Sequence, residues 1–260
     1  MPSALLDFAR RNSQADLMRD SRAARSVCLA AVLAAVGCSQ RDPPAIMIDN
    51  SGGRILRWKA PEIVLTPMSE VGGTRPPPEL GVALQRAAQR WNRALGKCGA
   101  PLLLANRETL DRPAILDDRV NAVLLHERSW CPPGVVEPDQ CYPADLRGRT
   151  HVFPRLEDAE IVGADVELNA VTAGPAAATS RALDELEASL VHELGHVLGL
   201  DHPCGPNGRW NRSGQGLASC DSPAMRRQVM HPSWAAWAHG DDLTPTAEEV
   251  AAVCEAYRQP

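Results

Sequence analysis

The chain has 260 residues, a formal net charge of -5 and 44% hydrophobic residues, which suits one medium-sized domain with a core of ordinary composition. The acidic balance argues against nucleic acid as a partner. Proline is frequent, at 22 residues, and aromatic residues make up only 4%, so we expect long ordered loops rather than a compact helical bundle.

The N-terminus has the pattern of an export signal. Residues 27–36 are apolar and follow Arg19, Arg22 and Arg25. The run is too short to remain as a membrane span, which needs roughly 20 apolar residues. We therefore predict that residues 1–37 are a signal peptide and that the protein is exported. Met18 is an alternative start that would give a signal of more usual length.

Cys38 follows the small residue Gly37 at the end of this apolar run. The site resembles the lipobox of bacterial lipoproteins, although Ala35 stands where these proteins usually have Leu. The resemblance implies that Cys38 is acylated and that residues 38–53, which are polar and rich in Pro and Gly, form a tether. We expect the protein at the outer membrane or cell surface, attached only by this lipid. An ordinary secreted protein is the alternative.

Hydrophobic periodicity predicts the elements of the remaining domain, residues 54–260. β-branched residues predict a first strand at 55–66, and helical spacing of apolar residues predicts a helix at 79–95. Further strands are predicted at 101–105, 121–126, 150–153 and 161–170, a second helix at 181–199, and a last helix capped by Thr244. This order of elements favours a single α/β or α+β domain.

Six cysteines remain besides Cys28 of the predicted signal peptide and the predicted lipidation site Cys38. An even number in an exported chain predicts disulfides, and six cysteines allow 15 pairings. Buried free thiols are the alternative. No CxxC pair is present, so a structural zinc ribbon is not expected. Proximity in the sequence favours the pairs Cys204–Cys220 and Cys131–Cys141. The pair Cys98–Cys254 then remains.

Residues 192–202, HELGHVLGLDH, have the spacing of a catalytic metal site. His192 and His196 are four residues apart and therefore share one face of a helix. Gly199 can end that helix in a left-handed turn and bring His202 round as a third ligand. Three neutral imidazoles leave a fourth position on a zinc ion for water, whose pKa the ion lowers to about 7. Glu193 is the expected general base and then acid.

The same residues resemble the extended zinc signature of the metzincin metallopeptidases, and their surroundings are similar to the matrixin branch, especially its bacterial members. Residues 228–232, QVMHP, resemble the matrixin Met-turn, which places Met230 beneath the zinc. Residues 57–59 and 88–95 resemble the family's opening strand and helix, and residues 243–257 resemble its closing helix. The resemblance therefore covers nearly all of the chain after the tether.

This resemblance implies a zincin-like α+β fold. Its parts would be a twisted, mostly parallel five-stranded sheet, two main helices with the zinc helix, a Met-turn and a C-terminal helix. One catalytic zinc ion would lie on the three histidines. The resemblance also allows calcium, for which the sequence contains no loop motif.

The implied activity is hydrolysis of peptide bonds, with a protein or peptide as substrate. In metzincins the substrate lies extended along an edge strand. Residues 161–169 are our candidate for this strand, with an internal strand as the alternative. Trp234 and Trp237 are candidates for lining a specificity pocket, with core or surface packing as the alternative.

The chain also departs from the family at several positions. Pro203 follows the third histidine where matrixins usually have Ser, and Pro232 excludes a metal-binding Tyr two residues after Met230. The spaced residues of the matrixin structural zinc are not recognisable. The histidines outside the zinc motif and the Met-turn are therefore expected to be ordinary polar or core residues, and they are His126, His151 and His239.

Two other functions fit the sequence. One is a metallohydrolase that acts on a different bond with the same scaffold. The other is a non-catalytic, surface-anchored protein for zinc binding or adhesion. Glu193 argues against the second, because a purely structural site needs no base beside an open metal position. The sequence does not specify the substrate, the cleavage preference or the oligomeric state.

Overall fold

The computed structural model describes residues 46–47, 53–69, 76–96, 98–106, 110–113, 118–132, 135, 138–171, 180–205, 218–233 and 243–258. The predicted signal peptide, Cys38 and most of the predicted tether lie outside these residues. Among the described helices, none has the length and apolar character needed to span a membrane.

Helices and strands occur in an α+β order. The helices are α1 (Pro78–Leu95), α2 (Ser180–Val197), α3 (Pro223–Arg226) and α4 (Ala247–Arg258). The strands are β1 (Ile46–Met47), β2 (Glu62–Ser69), β3 (Leu102–Ala105), β4 (Leu110–Pro113), β5 (Asn121–His126), β6 (Gly148–Arg155), β7 (Glu160–Asn169), β8 (Leu200–Asp201), β9 (Cys204–Gly205) and β10 (Ala218–Ser219). The prediction of an α+β class is confirmed.

The main sheet has the strand order β3–β2–β5–β7–β6. The first four of these strands are parallel, and β6 runs antiparallel to β7. The prediction of a mostly parallel five-stranded sheet is therefore confirmed. A further short strand, β4, pairs with β2 between the predicted strands at 101–105 and 121–126, where the sequence analysis predicted no strand.

The prediction that residues 161–169 form an edge strand is wrong. β7 pairs with β5 on one side and with β6 on the other. Its alternate polar residues, Asp165, Glu167 and Asn169, have the pattern of a solvent-exposed face, yet all three are buried. They are buried because each bonds to a neighbouring segment of the protein. The edge strand beside β7 is β6.

One apolar cluster fills the space between the sheet and helices α1 and α2. Trp91 of α1 is fully buried in it and donates its indole N–H to the Val191 carbonyl of α2 at 2.8 Å. A buried indole usually finds such a partner, because an unpaired N–H costs free energy. This bond and the packing around it fix α2, the helix that carries the predicted ligands.

The three predicted disulfides are all present in the structure. The Cα–Cα distance is 5.1 Å in Cys98–Cys254, 4.1 Å in Cys131–Cys141 and 5.1 Å in Cys204–Cys220. The first pair links the segment after α1 to α4. The last pair links β9, which directly follows the metal motif, to the residue after β10.

Candidate metal centre

The end of α2 sets the direction of the three histidines. His192 and His196 lie one helical turn apart on α2. Gly199 has a φ of +97°, which strongly favours glycine, and its N–H bonds to the His196 carbonyl at 3.0 Å. The chain then turns into β8 and brings His202 back towards the helix. The predicted left-handed turn at Gly199 is confirmed.

The ring nitrogens of the three histidines converge. Nε2 of His202 lies 3.1 Å from Nε2 of His192 and 3.2 Å from Nε2 of His196. Two nitrogens bound to one tetrahedral zinc ion at its usual bond length are separated by about 3.3 Å. The three predicted ligands therefore come together at a spacing that fits a single metal ion.

Backbone carbonyls set the tautomers of two of these histidines. Nδ1–H of His192 donates to the Val229 carbonyl at 2.6 Å, and Nδ1–H of His196 donates to the Leu200 carbonyl at 2.8 Å. Each Nε2 is then the unprotonated nitrogen that a metal requires. Burial, and to a lesser degree the nearby His202, lower the pKa of His192 to about 3, so that its imidazole is neutral at physiological pH.

Two aromatic side chains cap the end of the ligand helix. The last carbonyls of a helix have no partner within it. Here Trp58 donates its indole N–H to the Val197 carbonyl at 2.7 Å, and the Tyr257 hydroxyl donates to the Leu198 carbonyl at 3.1 Å. These bonds hold the turn that leads to His202, and the sequence pattern did not indicate them.

The short strand β1 pairs with the segment that precedes His202, the third predicted ligand. β1 pairs antiparallel with β8, so that Ile46 is opposite Asp201 and Met47 is opposite Leu200. Asp201 in turn accepts the backbone N–H of His202 at 2.8 Å. Two described residues of the predicted tether thus pair with the strand that directly precedes His202.

Glu193 lies between α2 and the edge strand β6. It is 4% exposed. The Thr150 hydroxyl is 2.6 Å from Glu193 Oε2 and 3.2 Å from the Glu193 carbonyl. A Cβ at Gly148 would lie 2.6 Å from Glu193 Oε1, so that only glycine leaves room for the carboxylate in this position. Neither Thr150 nor Gly148 belongs to a recognisable motif, so local sequence patterns do not indicate their roles.

Met230 is fully buried and lies against Gly195 of helix α2. A Cβ at Gly195 would overlap Met230 Sδ and would lie 3.1 Å from Trp91 Cζ2. Any side chain at position 195 would therefore displace Met230. The residue before Met230 is Val229, whose carbonyl accepts a hydrogen bond from His192, so this turn contacts helix α2 through both residues.

A buried carboxylate ties the Met230 turn to α4. Glu249 accepts the N–H of Met230 at 2.8 Å and the N–H of Thr246 at 2.8 Å. Burial raises the pKa of Glu249, because these bonds only partly offset the loss of water. Thr246 also accepts the N–H of Glu249, which completes a capping box. The prediction that Thr244 caps this helix is wrong, because α4 begins at Ala247 and its cap is Thr246, two residues after Thr244.

The structure describes some of the other residues singled out from the sequence, but not all of them. Cys204 and Cys220 lie close to His231, but their sulfurs form a disulfide rather than a ligand pair. Trp234, Trp237 and His239 lie outside the described residues.

No protein-family model matches the chain, and no curated protein matches its sequence significantly. Functional assignment therefore depends on the residues of the site.

Proposed function

We propose that the protein is a zinc-dependent endopeptidase of the metzincin type, exported and held at a membrane surface by lipid on Cys38. The convergence of three Nε2 atoms beside the buried carboxylate of Glu193 carries this proposal. A site with three protein ligands leaves an open metal position, which distinguishes catalytic from structural zinc. The resemblance of residues 192–202 and 228–232 to the metzincin motifs supports the same assignment.

The donor set suits zinc. Zinc commonly binds neutral imidazole nitrogens in tetrahedral sites, and here the backbone bonds of His192 and His196 direct both Nε2 atoms inwards. When bound there, zinc would lower the pKa of a water to about 7 and polarise the substrate carbonyl. The residues present fit this ion without any further ligand from the chain.

Glu193 would move the proton. Its carboxylate accepts a proton from the attacking water, holds it, and delivers it to the leaving amine nitrogen. The Thr150 hydroxyl donates to Oε2, and the absence of a side chain at Gly148 leaves room for the carboxylate in this position. Thr150 would thus hold the carboxylate in one orientation for the proton transfer.

The edge strand offers a place for an extended peptide. β6 pairs with β7 on one side, and among the described residues no strand pairs with its other side. Gly148 and Thr150 of β6 contact Glu193. A peptide that adds to this edge by backbone hydrogen bonds would pass beside the base. β6 therefore takes the role that the sequence pattern had assigned to residues 161–169.

Digestion of a diverse peptide library by the full-length protein, with and without a chelator, tests this function. We expect discrete cleavage sites by mass spectrometry, loss of cleavage with the chelator, and recovery with added zinc. Glu193→Ala should bind one zinc ion per chain and lose about 10²-fold or more in turnover. Asp184→Asn, an exposed carboxylate of the same helix, is the matched control. Full activity of Glu193→Ala would refute the mechanism.

A further inference from the structure

A second cluster of polar residues surrounds the carboxylate of Glu167, which is fully buried in β7. Nε2 of His126 is 2.7 Å from Oε2, Nε2 of His151 is 2.7 Å from Oε1, and the Tyr142 hydroxyl donates to Oε1 at 2.9 Å. The three partners come from β5, from β6 and from the segment between these strands. One carboxylate thus joins three separate parts of the fold.

Geometry fixes the charge of His126. Its Nδ1 lies 3.1 Å from the Ser129 carbonyl, which can only accept a hydrogen bond. Its Nε2 faces the Glu167 carboxylate, which also accepts when it is ionised. Both ring nitrogens must then donate, so that His126 is an imidazolium. At 3% exposure it forms a buried ion pair with Glu167.

The carboxylate is ionised despite its burial. Burial opposes ionisation of Glu167, but the hydrogen bonds from His126, His151 and Tyr142 outweigh it and lower the pKa to about 2. Burial and the charge of Glu167 raise the pKa of Tyr142, so that its hydroxyl keeps its proton.

Other charged groups also face the cluster. Arg149 lies opposite Glu167 in the register of β6 and β7, and its guanidinium is 4.9 Å from the Tyr142 ring centroid. Asp165 lies opposite His151 in the same register and accepts the Ala122 N–H.

This cluster lies on the sheet face opposite the metal centre. Successive residues of a strand point to opposite faces, and in β6 Thr150 contacts Glu193 whereas His151 contacts Glu167. β6 is held in the sheet by β7 alone among the described strands. The contacts of Thr150 and His151 therefore hold the same short stretch of β6 from both faces of the sheet.

We propose that the cluster of His126, Tyr142, His151 and Glu167 is a latch for β6, and that Glu167 is a positioning residue for the Glu193 site. The charged His126–Glu167 pair is its centre, and His151 and Tyr142 attach β6 and the preceding segment to it. The latch itself is independent of the proposed function, whereas the positioning of a catalytic base depends on it.

NMR of the zinc-loaded full-length protein with ¹⁵N-labelled histidine, combined with hydrogen exchange, tests the latch. We expect both ring nitrogens of His126 to be protonated at pH 7, and only one in Glu167→Gln. Amides of residues 148–153 should exchange about tenfold faster or more in Glu167→Gln, because bonds to a buried charge are lost. Glu157→Gln, at a side chain that is 80% exposed, should change neither reading.

Tyr142→Phe removes one donor and keeps the ring, so it serves as the test if Glu167→Gln does not fold. We expect its β6 amides to exchange about threefold faster, with His126 still charged. A neutral His126 in the wild-type protein, or β6 exchange in the latch variants equal to that of Glu157→Gln, would overturn the proposal. These measurements need no substrate. If the protein cleaved no peptide, the proposed function would be refuted, but the latch would not. Where cleavage occurs, Glu167→Gln should lower kcat more than it raises KM.

Discussion

Thr150 and Glu193 are 43 residues apart in the chain, yet the Thr150 hydroxyl lies 2.6 Å from Glu193 Oε2. The bond connects the edge strand β6 to helix α2 at the residue that follows His192. It restricts the rotation of the Glu193 carboxylate, and it makes the position of β6 part of the geometry around the candidate metal site.

Removing this hydroxyl should impair turnover without loss of metal. Thr150→Val keeps the shape of the side chain but leaves Glu193 Oε2 without its donor. We expect kcat for a cleaved peptide to fall about tenfold or more, the usual effect of losing a hydrogen bond to a charged group. Zinc affinity, measured by competition with a chelator, should not change. Thr150→Ser restores the donor and should retain most of the activity; equal loss in both variants would contradict the role of the hydroxyl.

A side chain at position 195 should destabilise the protein. In Gly195→Ala the new methyl group overlaps Met230 Sδ and crowds Trp91, and overpacking of this kind typically costs about 1–3 kcal/mol. Gly81→Ala in α1 is the control, because a Cβ there meets nothing within 4 Å and alanine favours a helix. Thermal unfolding should show a lower Tm for Gly195→Ala and an equal or higher Tm for Gly81→Ala. An unchanged Tm in Gly195→Ala would show that Met230 moves aside freely.

Local patterns predicted most of the helices and strands and the convergence of the three histidines. Strand β5 has the predicted bounds, and the spacing of His192 and His196 on a helix was sufficient to place them on one face. Alternation in residues 161–169 predicted a strand correctly but could not tell whether its polar face meets water or buried partners. Asp165 and Glu167 have such partners, and these come from distant parts of the chain.

Local sequence patterns do not predict roles that depend on tertiary contacts. Thr150 and Gly148 contact Glu193 only because β6 is the edge strand beside α2. Glu249 reads as an acidic residue at a helix N-terminus, which it is, but its contact with Met230 depends on how α4 packs. Helix α4 itself was predicted with the wrong cap, because Thr244 and Thr246 both fit the pattern and only the structure shows the capping box at Thr246.

The disulfide after the metal motif should support metal binding as well as stability. Replacing Cys204 and Cys220 with Ala opens a loop of 16 residues, and replacing Cys131 and Cys141 opens a loop of 10 residues. Chain entropy predicts similar costs, about 3 kcal/mol for each. Only the first pair follows His202 directly, so only its loss should weaken zinc binding in a chelator competition. Equal zinc affinities in the two double variants would limit the role of Cys204–Cys220 to stability.

The pH dependence of stability should report the charge of Glu167. Its pKa is about 2 in the folded protein, against 4.5 for an ordinary glutamate. A lowered folded-state pKa contributes stability that is complete above pH 4.5 and is lost as the pH falls towards 2, with a total of about 3 kcal/mol. Denaturant unfolding of the wild-type protein should therefore show a steeper loss of stability over this interval than Glu167→Gln, which has no carboxyl to protonate. Glu157→Gln should follow the wild-type curve, because its exposed side chain has no comparable set of donors. Parallel curves for the wild-type protein and Glu167→Gln between pH 4.5 and 2 would mean that the carboxyl is not held ionised by its three donors.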